Sequence, residues 1–328
     1  MRILITGGNG FVGRALVRAL YAEHEVTVVD NLRSGRDRFS DDERGRFRLF
    51  EHDVRDTTQL RLAWKATRPD IVVHLAAIHY IPECEAFPAE AVSVNEAGTV
   101  SVLHCCGEGT RFVFASSAAV YGAEESPHRE AESLLAPMDV YGLSKLHGEN
   151  YVRRFTQERA LGSTIVRLFN VVGPGETNPH VVPTILAQIV AGNRELSLGN
   201  LASKRDYICV YDAAAAFATI ALTRQTAGAC DCVNVGTGNA YSVQQLVDEF
   251  GAVSGETLSA TCDPGKLRVC DRPYACASIE EVRRVYQWSP VWDLRRTLRQ
   301  TWRARDFPPA CLAPPCAPGA DEEAGIAN

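Results

Sequence analysis

The 328-residue chain is 46% hydrophobic and 23% charged, with a formal net charge of −6. These proportions are those of a globular protein rather than a disordered one, and no apolar run nears the roughly 18 residues of a membrane-spanning helix. An acidic chain without a basic stripe is not expected to bind nucleic acid.

Eleven cysteines sit at irregular spacings such as Cys105-Cys106 and Cys230-x-Cys232. None forms the Cys-x-x-Cys pair of a structural zinc site, so no metal is expected. The sequence opens directly on a strand pattern, without the charged, apolar and small-residue regions of a signal peptide. Reduced thiols and a cytoplasmic location are the corresponding expectations.

In chain order, short β-branched runs at Arg2–Thr6, Glu25–Asp30, Phe47–Glu51, Asp70–Leu75, Arg111–Ser116 and Thr164–Phe169 read as strands between longer amphipathic stretches. Continuous apolar strands alternating with helices predict an α/β fold, a doubly wound parallel sheet of Rossmann type. After Phe169 the rhythm breaks: Gly173-Pro174-Gly175 and Asn178-Pro179 precede a helical stretch from Val182 to Ala191. This predicts a dinucleotide-binding domain over 1–169 and a smaller mixed α/β substrate lobe over 170–307, with the part around 206–236 packing back on the first domain. The Pro-, Ala- and Gly-rich tail over 308–328 lacks periodicity and is expected to be disordered.

The first strand runs into Gly7-Gly8-Asn9-Gly10-Phe11-Val12-Gly13, a G-x-x-G-x-x-G loop that opens a helical run. Gly7 permits a tight turn, Gly10 lets a pyrophosphate approach backbone amides, and Gly13 allows close helix-to-strand packing. The second strand ends in Asp30, about twenty residues on, where a carboxylate would bind the adenosine ribose and repel a 2′-phosphate. NAD is therefore the expected cofactor, with Asn31 and Arg33 beside the ribose site and Asp53-Val54 near the adenine.

Tyr141 and Lys145 follow a helix start at Pro137 and Asp139, which puts them one turn apart on one face. An ammonium beside a phenol favours the phenolate, and a positive nicotinamide ring would favour it further, making Tyr141 a usable base. The fifth strand ends in Ser116-Ser117 at the carboxyl edge, where ligands of such sheets bind.

Taken together, the loop Thr6–Gly13, His74-Leu75-Ala76-Ala77, Ser116-Ser117, Tyr141 with Lys145, and Arg167-Leu-Phe-Asn170 before Gly173-Pro174 resemble the extended short-chain dehydrogenase/reductase family from about Met1 to Arg305. Within it the chain is most similar to nucleotide-sugar 4-epimerases of the UDP-glucose and UDP-glucuronate type. The resemblance implies Tyr141 as base, Lys145 on the nicotinamide ribose and Ser117 on the sugar 4-oxygen, with Leu75, Ala76, Ala77, Asn95 and Ser116 along the cofactor. It implies Arg205, Arg268 and Asp271 as diphosphate and nucleoside contacts, and Asn170, His79, Ala118, His180 and Val181 at the sugar end.

Two differences refine the expected reaction. The family's 4,6-dehydratases carry Asp-Glu after the serine, and its UDP-glucuronate decarboxylases carry a glutamate at the second position; here stand Ala118 and Ala119, which transfer no protons. Ala275 occupies the position of a bulky gate residue and leaves room for a carboxylate or acylamino group. The expectation is thus an NAD-dependent 4-epimerase of UDP-glucuronate or UDP-glucose, homodimeric through the helices holding Val92–Cys105 and Tyr141–Arg154. The alternatives are a 4-ketoreductase, an atypical dehydratase, or a silent nucleotide-sugar-binding module.

Overall fold

The computed structural model describes residues 1–34, 38–123, 127–267 and 272–305. Its frame is a seven-stranded, wholly parallel sheet of β1 (Arg2–Thr6), β2 (Glu25–Asp30), β3 (Arg48–Glu51), β4 (Ile71–His74), β5 (Arg111–Ser117), β6 (Gly162–Leu168) and, after three strands placed elsewhere, Cys230–Val235. The last of these pairs with β6 at the sheet edge, and the order across the sheet places β4 next to β1. That reversal opens a crevice at the carboxyl ends of β1 and β4, where open α/β sheets bind ligands.

Residue alternation divides the strands between two cores. Ile3, Ile5, Val26, Val28, Ile71, Val73 and Val113 face the helices Phe11–Leu20, Val210–Leu222 and Glu280–Tyr286. Their neighbours Leu4, Val29, Val72, Phe112, Phe114 and Ile165 face Thr57–Thr67, Gly98–Cys105 and Val140–Arg159. Burial on both sides explains why these strands read as continuous apolar runs.

The three strands placed elsewhere are β7 (Asn170–Val172), β8 (Glu195–Leu198) and β9 (Lys204–Cys209); Cys230–Val235 is therefore β10, followed by β11 (Ala240–Ser242), β12 (Ser259–Cys262) and β13 (Tyr274–Ala275). A small mixed sheet is built on β9, which pairs with β7 and β13 in parallel and with β11 antiparallel. A two-stranded β8–β12 pair lies beside it. The helices Val181–Val190, Val243–Ser254 and Leu294–Arg303 close a third core around Ile185, Leu246, Phe250 and Leu298. Among the described residues no helix is long and apolar enough to cross a membrane. The tail from Pro308 onward lies outside the described residues.

Candidate active site

At the carboxyl end of β1 the chain turns through Gly7, which has φ of +72°, and a Cβ there would stand 2.7 Å from the Ala76 amide. Only glycine lets the β1 and β4 ends approach this closely. A Cβ on Gly13 would overlap the Gly7 carbonyl, so helix Phe11–Leu20 is packed tightly beneath its own loop. Gly10 is the N-cap of that helix and brings no capping side chain. The first amides, at Phe11 and Val12, line an open cleft of about 1090 Å³. Uncapped amides at the positive end of a helix suit a pyrophosphate.

Asp30 lines the same cleft at the end of β2, its carboxylate accepting from the amides of Asn9 and Leu32, each at 2.9 Å. The ribose carboxylate expected from sequence therefore also holds the glycine loop in place. Asn31 and Arg33 line the cleft, as do Val54 and an unanticipated His52. Asn9 is buried behind the loop, with Oδ1 accepting from the Arg38 amide at 2.9 Å. Asp53 is not a lining residue: its carboxylate binds Arg55 and Asn31, and the Arg55 guanidinium holds it well below the usual carboxylate range against the opposing effect of burial.

Asn95 also sits one layer back. It lies in a π-helical turn, Ser93–Ala97, a local widening that recurs at functional sites. Its carboxamide accepts from the Ile78 amide at 2.8 Å and donates to the Ile78 carbonyl at 2.9 Å and to Ser144 Oγ at 3.0 Å. Asn95 thereby fixes the segment carrying Leu75, Ala76 and Ala77, which do line the cleft, against the helix that carries Tyr141.

That helix, Val140–Arg159, starts where the sequence places it, with Asp139 Oδ1 accepting from the Gly142 amide at 2.7 Å. Tyr141 and Lys145 both line the cleft, together with Ser117 at the end of β5. Lys145 Nζ donates to the Ala115 carbonyl at 2.8 Å and lies 5.9 Å from the Tyr141 ring centroid. Burial lowers the Lys145 ammonium to about 8 and pushes the Tyr141 phenol up, with the nearby Ser117 hydroxyl opposing the latter. Desolvation dominates in the protein alone, so ionisation of Tyr141 requires a further positive charge in the cleft.

Gly142 packs against the Ala118–Val120 turn so closely that a Cβ would overlap the Ala119 carbonyl. Arg272, which the sequence reading passed over, donates to the carbonyls of Ala119 at 2.9 Å and Tyr121 at 3.2 Å and lines the cleft. Gly142→Ala must push the tyrosine helix away from this turn, and with it Tyr141 from Ser117. We expect kcat to fall by ten-fold or more, since an ångström of misplacement can cost roughly 100-fold. Steady-state kinetics on a variant shown to be folded by circular dichroism checks this.

Ser116 is held from behind. Its hydroxyl donates to Glu149 Oε1 at 2.7 Å, and Glu149 is bridged by Arg167 through two bonds of 2.9 and 2.8 Å. Arg167 also donates to the Tyr121 hydroxyl at 3.0 Å and the Glu130 carbonyl at 3.1 Å.

At the opposite end of the cleft, Asn170 on β7, Arg205 on β9 and Ala275 on β13 all contribute to the lining. Arg205 and Ala275 are register partners. Strand alternation turns the next residue, Asp206, inward, where it accepts from the amides of Thr237, Gly238 and Ala277. His79, Ala118, His180 and Val181 line the cleft too, whereas Arg268 and Asp271 lie outside the described residues. His79 accepts from Asn178 Nδ2 at 2.9 Å and so ties the loop after β7 to the segment after β4. Glu176, Asn200, Tyr207 and Lys266 line this end without having been singled out from sequence.

Residues 3–236 match the NAD dependent epimerase/dehydratase family. The chain belongs to that family. NAD is accordingly its cofactor, and the uncapped amides after Gly10, the Asp30 carboxylate and the Tyr141–Lys145 face fit that dinucleotide. Among this family's members, a UDP-glucose 4-epimerase of Corynebacterium glutamicum is 30% identical over 92% of this chain and 95% of its own length. A rice UDP-glucose 4-epimerase is 31% identical over 92% of this chain and 89% of its own. The structure of a Thermotoga maritima UDP-glucose 4-epimerase with UDP-glucose superposes with a TM-score of 0.83 at 26% identity, covering 93% of this chain and 98% of that one. A GDP-6-deoxy-D-mannose reductase of Pseudomonas aeruginosa, 26% identical over 93% of this chain, shows that reductases are also related.

Proposed function

We propose that this family member is a nucleotide-sugar 4-epimerase acting on UDP-glucose or UDP-glucuronate through a transient 4-keto sugar. The observation that carries the reading is Tyr141 on the cleft wall with Ser117 at the end of β5, followed only by Ala118 and Ala119. The two positions after Ser117 supply no second acid or base for C5 or C6 chemistry.

NAD, held by Asp30, Lys145 and the start of the helix after Gly10, would supply the acceptor and donor of the C4 hydride. Tyr141 accepts the C4 hydroxyl proton and later gives it back, with Ser117 positioned to hold the same oxygen. Lys145 binds the nicotinamide ribose, and Arg205, Arg268 and Asp271 anchor the diphosphate and nucleoside. Asn170, His180 and Val181 border the sugar and diphosphate, and the small Ala275 leaves space for the sugar to turn over about that anchor and present its other face. We further place the chain in the cytoplasm as a homodimer: Val92, Leu143 and Tyr151, on or beside the helices Gly98–Cys105 and Val140–Arg159, are exposed apolar residues available for pairing.

The test is proton NMR of UDP-glucose and of UDP-glucuronate, each incubated separately with the protein and without added reductant. The expected result is inversion at C4 of one of them without net formation of reduced cofactor. Accumulation of a keto, decarboxylated or unsaturated product, or no change in either sugar, would reject the assignment.

A further inference from the structure

The loop between β7 and helix Val181–Val190 carries one carboxylate and no lysine or arginine, although it borders a cleft that must receive diphosphates. It is tied to the cofactor half at successive residues. Arg14 donates to the Gly175 carbonyl at 2.9 Å, Arg38 to Thr177 Oγ1 at 3.0 Å, and Asn178 donates to His79 at 2.9 Å. Glu176 lies within this strap, and its side chain is only 5% exposed. Its Oε1 accepts from His180 Nδ1 at 2.5 Å, while Oε2 is buried with no partner.

A buried carboxylate facing an anion site would ordinarily weaken anion binding. It helps in one arrangement, when it acts through an imidazole. Accepting from Nδ1 fixes the ring orientation and the tautomer and makes Nε2 a stronger, charge-assisted donor. His180 is placed for this: it lines the cleft, Nε2 has no partner among the described residues, and it is the N-cap of a ten-residue helix whose first amides are not capped by its side chain. Val181 and Val182, which open that helix, line the cleft as well. Imidazole and helix amides thus form one donor set suited to an anion.

We infer that Glu176 is a positioning residue for substrate binding, holding His180 so that Nε2–H, beside the first amides of helix Val181–Val190, donates to a diphosphate oxygen of the nucleotide sugar. The inference rests on the nucleotide-sugar reading above. Its test is calorimetric titration of the NAD-loaded protein with UDP, which needs no turnover, alongside kinetics with the epimerised sugar. Glu176→Ala is expected to weaken UDP binding roughly tenfold and to raise KM similarly, the loss falling on KM rather than kcat. Glu176→Gln, which keeps an acceptor for Nδ1–H, should recover most of the affinity. His180→Ala should match or exceed the Glu176→Ala loss, and the double variant should be no worse than His180→Ala alone, because one residue acts through the other.

NAD content and thermal midpoint, measured on each variant, separate this from general loosening of the strap, which would lower both. Unchanged or tighter UDP binding in Glu176→Ala, or losses that add in the double variant, would overturn the inference. A parent protein that binds UDP but inverts no sugar would overturn the epimerase reading alone, and one that binds no UDP would overturn both.

Discussion

Replacing Tyr141 by phenylalanine is expected to lower kcat by about a thousand-fold while leaving NAD bound and the fold intact, within the roughly 10²- to 10⁴-fold contribution of a positioned acid–base group. The ring is partly buried against the second core in a position that phenylalanine fills equally well, so the variant removes the hydroxyl and little else. Lys145 donates to the Ala115 carbonyl, and the residues after Ser117 are alanines, which transfer no protons. The check is kcat together with the NAD content of the purified variant. A loss under tenfold would remove Tyr141 from the mechanism, and loss of bound NAD would recast it as a cofactor ligand.

The largest stability effect is expected at Glu149. Its side chain and that of Arg167 are 0% and 1% exposed, and their bidentate pairing satisfies both. Burial alone would raise the Glu149 carboxyl, yet the Arg167 guanidinium holds it below its ordinary value. Glu149→Ala leaves a buried, uncompensated guanidinium, and truncating one partner of such a pair costs about 3–5 kcal/mol. Denaturant unfolding of the two proteins measures the difference. Because the folded carboxyl is the stronger acid, the pair's contribution is complete above the ordinary glutamate range and is lost as pH falls through the lower folded value. The gap between parent and Glu149→Ala should therefore shrink in acid. A difference under about 1 kcal/mol at neutral pH would mean that water reaches Arg167 in the variant.

The parallel sheet was legible because burial on both faces writes itself as unbroken apolar runs, and six strands were placed to within two residues. The seventh, β10, was not read as a strand. It is an edge strand whose first half, Cys230-Asp231-Cys232, is only partly buried, so composition alone does not distinguish it from a loop. The glycine loop, Asp30 and the Tyr141–Lys145 face could be read because strand–turn–helix context fixes their spacing. What escaped was whatever depends on contacts between distant segments. Arg272 is defined by the carbonyls of Ala119 and Tyr121, and Glu176 by a histidine that the loop folds back upon it. Asn95 is implied by the family resemblance and Asp53 by its place after the third strand, and the side chains of both bond protein groups that a sequence does not show. The sequence shows the lysine one turn from Tyr141 but not the desolvation that opposes it.

The most direct measurement is the NMR conversion experiment run in D2O on whichever of the two sugars is inverted. If C4 is oxidised and reduced internally, its hydrogen never exchanges with solvent, and the epimerised product carries protium at C4. Deuterium at C4 would contradict the account, because the hydrogen delivered to that carbon would then come from solvent rather than being the one removed from it.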